Sequence, residues 1–172
     1  MTHSITKITF YFYQTININA SKIKIARIKA IDISKDALKI ANENALANHV
    51  RIVFEENDIL TQNKSESYEQ LFDIIVSNPP YVLETEKQSM HQHVLDYEPH
   101  QALFVPDSDS LLFYKAIVEY AKIHLNTKGK LYFEINEAKA KEVVELLQKN
   151  GFSKTQIKMD LQGKERMVVG IK

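Results

Sequence analysis

The residues best suited to chemistry are Asn78-Pro79-Pro80-Tyr81, which directly follow the mainly apolar run at residues 71–76. The run has the length and β-branched content of a buried strand. Proline has no N–H to donate to a strand ladder, so two consecutive prolines predict that the chain turns out of the sheet there. In an open α/β sheet, ligands bind at the carboxyl ends of the strands. The four residues are therefore predicted to line an active site.

An –NH₂ group on a planar substrate is the ligand that suits this tetrapeptide. The Asn78 side-chain oxygen and the rigid Pro79 carbonyl can each accept one of its hydrogens and turn the nitrogen toward an electrophile. Tyr81 offers an aromatic face for a flat amide or base. Asn78 and Pro79 are thus the predicted catalytic pair, and Pro80 and Tyr81 complete the predicted substrate slot. Two other interpretations are a structural turn and a ligand for a proline-recognition module, although the adjoining strand argues against the latter.

Composition excludes several other classes of function. The chain has 172 residues and no cysteine, which predicts one ordinary core without disulfides or thiolate metal sites. His91 and His93 form the only close histidine pair, and no metal is expected there. No stretch is long and apolar enough for a membrane span and no signal peptide is visible, so a soluble, cytoplasmic protein is predicted.

The predicted elements alternate between strands and helices, which is typical of an α/β fold with a mostly parallel sheet. Strands are predicted at 28–32, 51–55, 71–76 and 131–135, an antiparallel hairpin at 152–160 and 166–171, and helices at 34–48, 108–125 and 137–149. Ser34 is the expected N-cap of the first helix, and Leu46 is expected on its core side. Residues 82–106 are predicted to be a loop over the site, and Gly129 is predicted to end a helix-to-strand connection.

Two aspartates follow predicted strands. Asp32 ends the strand at 28–32, and Asp58, followed by Ile59, comes just after the next one. A carboxylate at the end of the second strand of a nucleotide-binding sheet can accept both ribose hydroxyls, and Asp58 could lie beside an adenine. Each aspartate taken alone is equally typical of a helix cap or a turn.

Taken with the tetrapeptide, these residues resemble the Rossmann-like S-adenosylmethionine-dependent methyltransferases. Within that class, the chain is most similar to the release factor glutamine methyltransferase family, over about residues 28–172. The segments that carry this resemblance are residues 30–38, Asn78-Pro79-Pro80-Tyr81, Tyr97-Glu98-Pro99, residues 102–107, residues 112–117 and Phe133-Glu134-Ile135.

The resemblance implies methylation of the side-chain amide nitrogen of glutamine in the Gly-Gly-Gln motif of a peptide chain release factor. Asn78 and the Pro79 carbonyl would hold the amide, and Tyr81 would pack on it. Asp32 would bind the ribose of S-adenosyl-L-methionine, and Asp58 and Ile59 would flank its adenine. A monomer without direct nucleic acid binding is expected.

The N-terminus departs from this family. Residues 1–128 contain no glycine, whereas the family has a glycine-rich turn ahead of the position of Asp32. Residues 1–27 are therefore interpreted as an atypical segment, arising from an altered gene start, and residues 28–172 as an incomplete catalytic domain whose first strand is missing or replaced. In one alternative, residues 8–13 form a replacement strand at the centre of the sheet. The functional alternatives are a catalytically silent remnant and an adenine amino-group methyltransferase, although the net negative charge after residue 31 disfavours the latter.

Overall fold

The computed structural model describes residues 6–11, 26–61, 71–90 and 100–172. Its strands are β1 (Thr6–Tyr11), β2 (Ala26–Asp32), β3 (Ile52–Glu56), β4 (Phe72–Ser77), β5 (Val82–Leu83), β6 (Phe104–Val105), β7 (Leu125–Glu134), β8 (Ser153–Met159) and β9 (Glu165–Ile171). Its α-helices are α1 (Lys35–Ala47), α2 (His100–Leu103), α3 (Leu112–His124) and α4 (Ala140–Lys149), and 3-10 helices occupy Glu84–Ser89 and Glu137–Lys139.

A seven-stranded sheet in the order β3-β2-β1-β4-β7-β9-β8 forms the centre of the molecule. The pairs from β3 to β7 are parallel, whereas β9 runs antiparallel to both β7 and β8. The predicted α/β fold, with its mostly parallel sheet and antiparallel C-terminal hairpin, is confirmed. Because the first five strands of this order run in one direction, their carboxyl ends lie along a single edge of the sheet.

The central position of the sheet is occupied by β1. Thr6–Tyr11 pairs with β2 on one side and with β4 on the other, with Phe10 opposite both Ala30 and Val76. The alternative of a replacement strand is therefore confirmed, although the strand begins and ends two residues before the predicted 8–13.

Helix α1 begins and ends close to its predicted bounds. The Ser34 hydroxyl accepts a hydrogen bond from the Ala37 N–H at 3.2 Å, as an N-cap does. Ala41 and Ala45 are buried, but Leu46 is 67% exposed. The prediction that Leu46 faces the core is wrong, because one residue of helix turns the side chain by about 100° away from Ala45.

Helix α3 begins four residues later than predicted. The Asp109 carbonyl and carboxylate accept hydrogen bonds from the Leu112 and Leu111 N–H groups at 3.2 and 3.3 Å, so a turn occupies the expected first helical residues. The buried residues of α3 include Tyr114, Ile117 and Val118.

The sheet has apolar contacts on both faces. Alternate residues of β4 belong to different clusters, since Ile75 packs with the α3 and α4 side chains whereas Ile74 and Val76 pack with Ile28 and Ala30. In the described part of the chain, no helix is long and apolar enough to cross a membrane.

The segment at 82–106 is more ordered than the predicted loop. Strands β5 and β6 pair in parallel, Val82 with Phe104 and Leu83 with Val105, and helical turns lie between them. Residues 91–99, which include His91, His93 and the Tyr97-Glu98-Pro99 motif, lie outside the described residues.

Gly129 lies inside β7, so the prediction that it ends a connection is wrong. Helix α3 passes directly into β7 at Leu125, and the β4–β7 register shifts between Leu125 and Lys130. In this irregular stretch, Lys128 has a φ of 67°. A Cβ on Gly129 would lie 2.6 Å from Leu125 Cγ and 2.8 Å from the Asn126 carbonyl oxygen.

We expect Gly129→Ala to lower the free energy of unfolding by about 1–3 kcal/mol, because the added methyl has to displace both the Leu125 side chain and the Asn126 backbone. Urea denaturation measures this change. Lys130→Ala is the control, since Lys130 is the next residue and is exposed. Equal stabilities of the two variants would contradict the close approach at Gly129.

Candidate active site

The candidate site lies at the carboxyl edge of the parallel strands. Asp32 is the last residue of β2, Ser77 the last residue of β4 and Glu134 the last residue of β7. Ser77 pairs with Tyr11 of β1 and with Phe133 of β7. The register therefore brings the ends of these strands side by side.

The tetrapeptide leaves the sheet where the sequence predicts. Strand β4 ends at Ser77, and Asn78-Pro79-Pro80-Tyr81 connects it to β5. Pro79 is buried, whereas Asn78, Pro80 and Tyr81 are half-buried. Because β4 and β5 are each paired with another strand, the connection is held at both ends. The catalytic and binding roles of these four residues stay predictions.

Asp32 and Asp58 each hold a turn with one carboxylate oxygen. Asp32 Oδ1 accepts a hydrogen bond from the Ser34 N–H at 2.8 Å, and Asp58 Oδ1 accepts one from the Leu60 N–H at 2.9 Å. Both aspartates are therefore turn residues, as one of the two interpretations of the sequence proposed. A role in ligand binding is still compatible with these bonds, because each carboxylate has a second oxygen that can accept hydrogen bonds.

The two aspartates belong to neighbouring loops. The Asn57 N–H donates to the Asp32 carbonyl oxygen at 3.1 Å, so the chain just before Asp58 is tied to the end of β2. Ile59 is partly buried against the larger core cluster. Asn78 follows β4, and β1 separates β4 from β2. Two strand spacings amount to about 10 Å, which leaves room for a nucleoside-sized ligand between Asp32 and Asn78.

Tyr81 is fixed at its hydroxyl end. The hydroxyl donates a hydrogen bond to Glu134 Oε1 at 3.2 Å, and the ring packs against the larger core cluster. Burial and the adjacent Glu134 carboxylate raise the pKa of Tyr81, and the Arg166 guanidinium partly offsets that rise. The residue is therefore a neutral hydrogen-bond donor at physiological pH.

Glu134 also contacts a second tyrosine, Tyr114. The Tyr114 hydroxyl of α3 donates to the Glu134 carbonyl oxygen at 3.1 Å, and burial raises the pKa of Tyr114 as well. Sequence reasoning found Glu134 only as part of a family motif and missed Arg166 as a neighbour of Tyr81. An acidic residue at the end of a buried strand, the signal used for Asp32, could have identified Glu134.

Ser77 is a further residue that sequence reasoning missed. It is 1% exposed, and its hydroxyl has no hydrogen-bond partner among the described residues. Burying a hydroxyl without a hydrogen-bond partner costs about 1–3 kcal/mol of folding free energy. Because Ser77 directly precedes Asn78, this hydroxyl lies at the candidate site.

Two other features do not contribute to this site. A cavity of about 500 Å³ lies near the amino ends of β2, β3 and β4, with Arg27, Arg51 and Phe72 in its lining, and thus at the opposite edge of the sheet. The described residues contain no group of three or more acidic or histidine side chains that could hold a metal ion.

Comparisons with known proteins identify the family of this chain. The profile of the methyltransferase small domain family matches residues 15–103, just over half of the chain. A release factor glutamine methyltransferase of Flavobacterium psychrophilum is 51% identical over 87% of this chain and 51% of the relative, and one of Bacteroides thetaiotaomicron is 41% identical over 83% and 51%. The chain thus spans about half the length of these relatives.

Among solved structures, a methyltransferase from Pyrococcus furiosus has a TM-score of 0.66 at 17% identity, covering 97% of this chain and 74% of the other. At that identity the likeness concerns the fold alone. It agrees with the α/β fold described above. The chain therefore belongs to the methyltransferase small domain family, and its sequence is similar to those of release factor glutamine methyltransferases.

Proposed function

We propose that this chain transfers a methyl group from S-adenosyl-L-methionine to the side-chain amide nitrogen of a glutamine, the glutamine of the Gly-Gly-Gln motif in a peptide chain release factor. The observation that carries the proposal is the position of Asn78-Pro79-Pro80-Tyr81 directly after β4, two strands from Asp32. The similarity to relatives named for this activity supports the choice of substrate.

The residues at the edge of β2 and β3 fit the adenosine half of the cofactor. Asp32 Oδ1 is occupied by the Ser34 N–H, which holds the carboxylate in place so that its other oxygen can accept a hydrogen bond from a ribose hydroxyl. Ile59 supplies apolar surface, and Asp58 supplies a fixed carboxylate for the adenine. When bound, S-adenosyl-L-methionine supplies an electrophilic methyl group on a sulfonium.

Asn78 and Pro79 orient the amide. A glutamine amide has two N–H donors, and the Asn78 side-chain oxygen and the Pro79 carbonyl are two acceptors on adjacent residues. Accepting both hydrogens fixes the plane of the amide, so that one face of the nitrogen, which carries its lone pair, can be presented to the methyl donor. Tyr81 limits the slot on one side. In the transfer, the N–CH₃ bond would form as the S–CH₃ bond of the sulfonium breaks, the sulfur would keep that electron pair and leave as a neutral thioether, and the nitrogen would lose one proton to solvent. Positioning provides most of the rate increase.

The absence of glycine before residue 129 favours one competing function, a silent remnant that retains the substrate slot. A glycine-rich turn lets backbone N–H groups approach a ligand closely, and each lost hydrogen bond weakens binding by about 0.5–1.5 kcal/mol. We favour the active enzyme because β1 occupies the central position of the sheet and keeps the strand ends aligned. An adenine amino group would also fit two acceptors, but the acidic balance after residue 31 disfavours a nucleic acid substrate.

The remaining parts of the proposal follow from this assignment. The release factor is the protein partner, and the chain acts on it as a monomer in the cytoplasm. Residues 28–172 form the catalytic domain, and residues 1–27 contribute the replacement strand β1.

We expect the purified chain to bind S-adenosyl-L-methionine with a micromolar Kd in isothermal titration calorimetry. Asp32→Asn keeps an oxygen for the Ser34 N–H but loses the charge and one acceptor, so it should weaken binding by about 10–150-fold. Asp36→Asn is the matched control, since Asp36 lies in the first turn of α1 and is exposed. A folded chain that binds no cofactor would refute the proposed methyltransferase activity and favour the catalytically silent remnant.

We expect Asn78→Ala to reduce methyl transfer by about 10²–10³-fold, because the amide loses one of the acceptors that orient it. The measurement uses radiolabelled S-adenosyl-L-methionine with a purified bacterial release factor. Cofactor affinity should be unchanged in this variant. Asn44→Ala, at an exposed position of α1, should transfer methyl groups at the wild-type rate. Methylation of a release factor whose Gly-Gly-Gln glutamine has been replaced would show that the substrate residue is a different one.

A further inference from the structure

We propose that Glu134 is a positioning residue, which fixes the Tyr81 ring beside Asn78 and so shapes the slot for the substrate before the substrate arrives. The inference rests on the proposed function for its catalytic consequence. The contact that carries it, between the Tyr81 hydroxyl and Glu134 Oε1 at 3.2 Å, is a property of the chain itself.

The contact joins two segments that are far apart in the sequence. Tyr81 lies in the connection after β4, whereas Glu134 is the last residue of the neighbouring strand β7. A half-buried tyrosine at the end of a connection could otherwise rotate about two side-chain bonds. With its hydroxyl bonded and its ring packed against the core, Tyr81 has one position relative to the β4 edge.

Glu134 is itself held in place by its surroundings. Its backbone carbonyl accepts the Tyr114 hydroxyl, and the Tyr114 ring packs edge-to-face against Phe133 at 5.1 Å. The next residue, Ile135, donates its N–H to the Arg166 carbonyl oxygen at 3.0 Å, which ties the end of β7 to β9. The Glu134 carboxylate is therefore presented to Tyr81 from a rigid part of the sheet.

The Arg166 guanidinium is a further charged neighbour of this contact. Its positive charge partly offsets the rise that burial and the Glu134 carboxylate cause in the pKa of Tyr81. Arg166 Nε lies 3.6 Å from Asp160 Oδ2, so this ion pair helps to hold the guanidinium. The Tyr81 phenol stays neutral and donates its proton to Glu134.

The test is a double-mutant cycle in kcat/KM for methylation of a purified release factor. Glu134→Ala should lower kcat/KM by about 10–100-fold without changing the Kd of S-adenosyl-L-methionine. Glu134→Gln retains an acceptor oxygen and should stay within about threefold of wild type. Tyr81→Phe should match Glu134→Ala, and the double variant should be no worse than either, because both remove the same bond. Glu137→Ala, an exposed carboxylate three residues away, should act as wild type.

A second measurement follows the ring directly, by NMR of the chain labelled with ¹³C-tyrosine, with Tyr81→Phe assigning the Tyr81 signal. Glu134→Ala should shift and broaden that signal, and Glu137→Ala should not. An unchanged signal in Glu134→Ala, or additive effects in the cycle, would overturn the inference. A wild-type chain that binds cofactor but transfers no methyl group, with the Tyr81 signal responding to Glu134→Ala, would refute the proposed function and leave the ring contact standing.

Discussion

The pairing of β1 with both β2 and β4 is the interaction on which the site depends. Without a strand between β2 and β4, no strand pairing would set the distance between Asp32, at the end of β2, and Asn78, just after β4, because these two strands do not pair with each other. The ladder through Ile8, which lies opposite both Ile28 and Ile74, fixes the two strands in register. Backbone hydrogen bonds, rather than particular side chains, therefore determine where the candidate binding residues lie.

Much of the fold could be predicted because local signals agree with the tertiary structure. Alternating apolar segments indicate the order of strands and helices, and Ser34 marks the start of α1 through its capping chemistry. The wrong predictions concern residues whose surroundings depend on a neighbouring element of the fold. Gly129 is predicted to end a helix-to-strand connection, but it lies inside β7 and close to Leu125 and Asn126, an approach that no local pattern reveals. The exposure of Leu46 likewise depends on what packs against α1.

The site was predictable to a similar degree. Strand ends and prolines gave the positions of Asn78, Asp32 and Asp58, because those signals are local. The hydrogen bonds that Asp32 and Asp58 accept from the Ser34 and Leu60 N–H groups could also be predicted, because aspartate commonly forms such turns. The contact of Tyr81 with Glu134 was not, since it joins residues 53 positions apart and depends on β4 and β7 being neighbours. A hydrogen bond between the ends of two strands can be predicted only when the order of the strands in the sheet is known.

The central place of β1 also has a consequence for the order in which the molecule can form. Thr6–Tyr11 is synthesised before either of its partners, and one of them, Phe72–Ser77, is made only after β2, α1 and β3. Until then, one side of β1 exposes unpaired N–H and C=O groups, which attract other strands. Contacts between such distant segments also form slowly, because the loop between them must close first. A chaperone that binds extended segments would thus have a prolonged opportunity to bind Thr6–Tyr11 in the nascent chain.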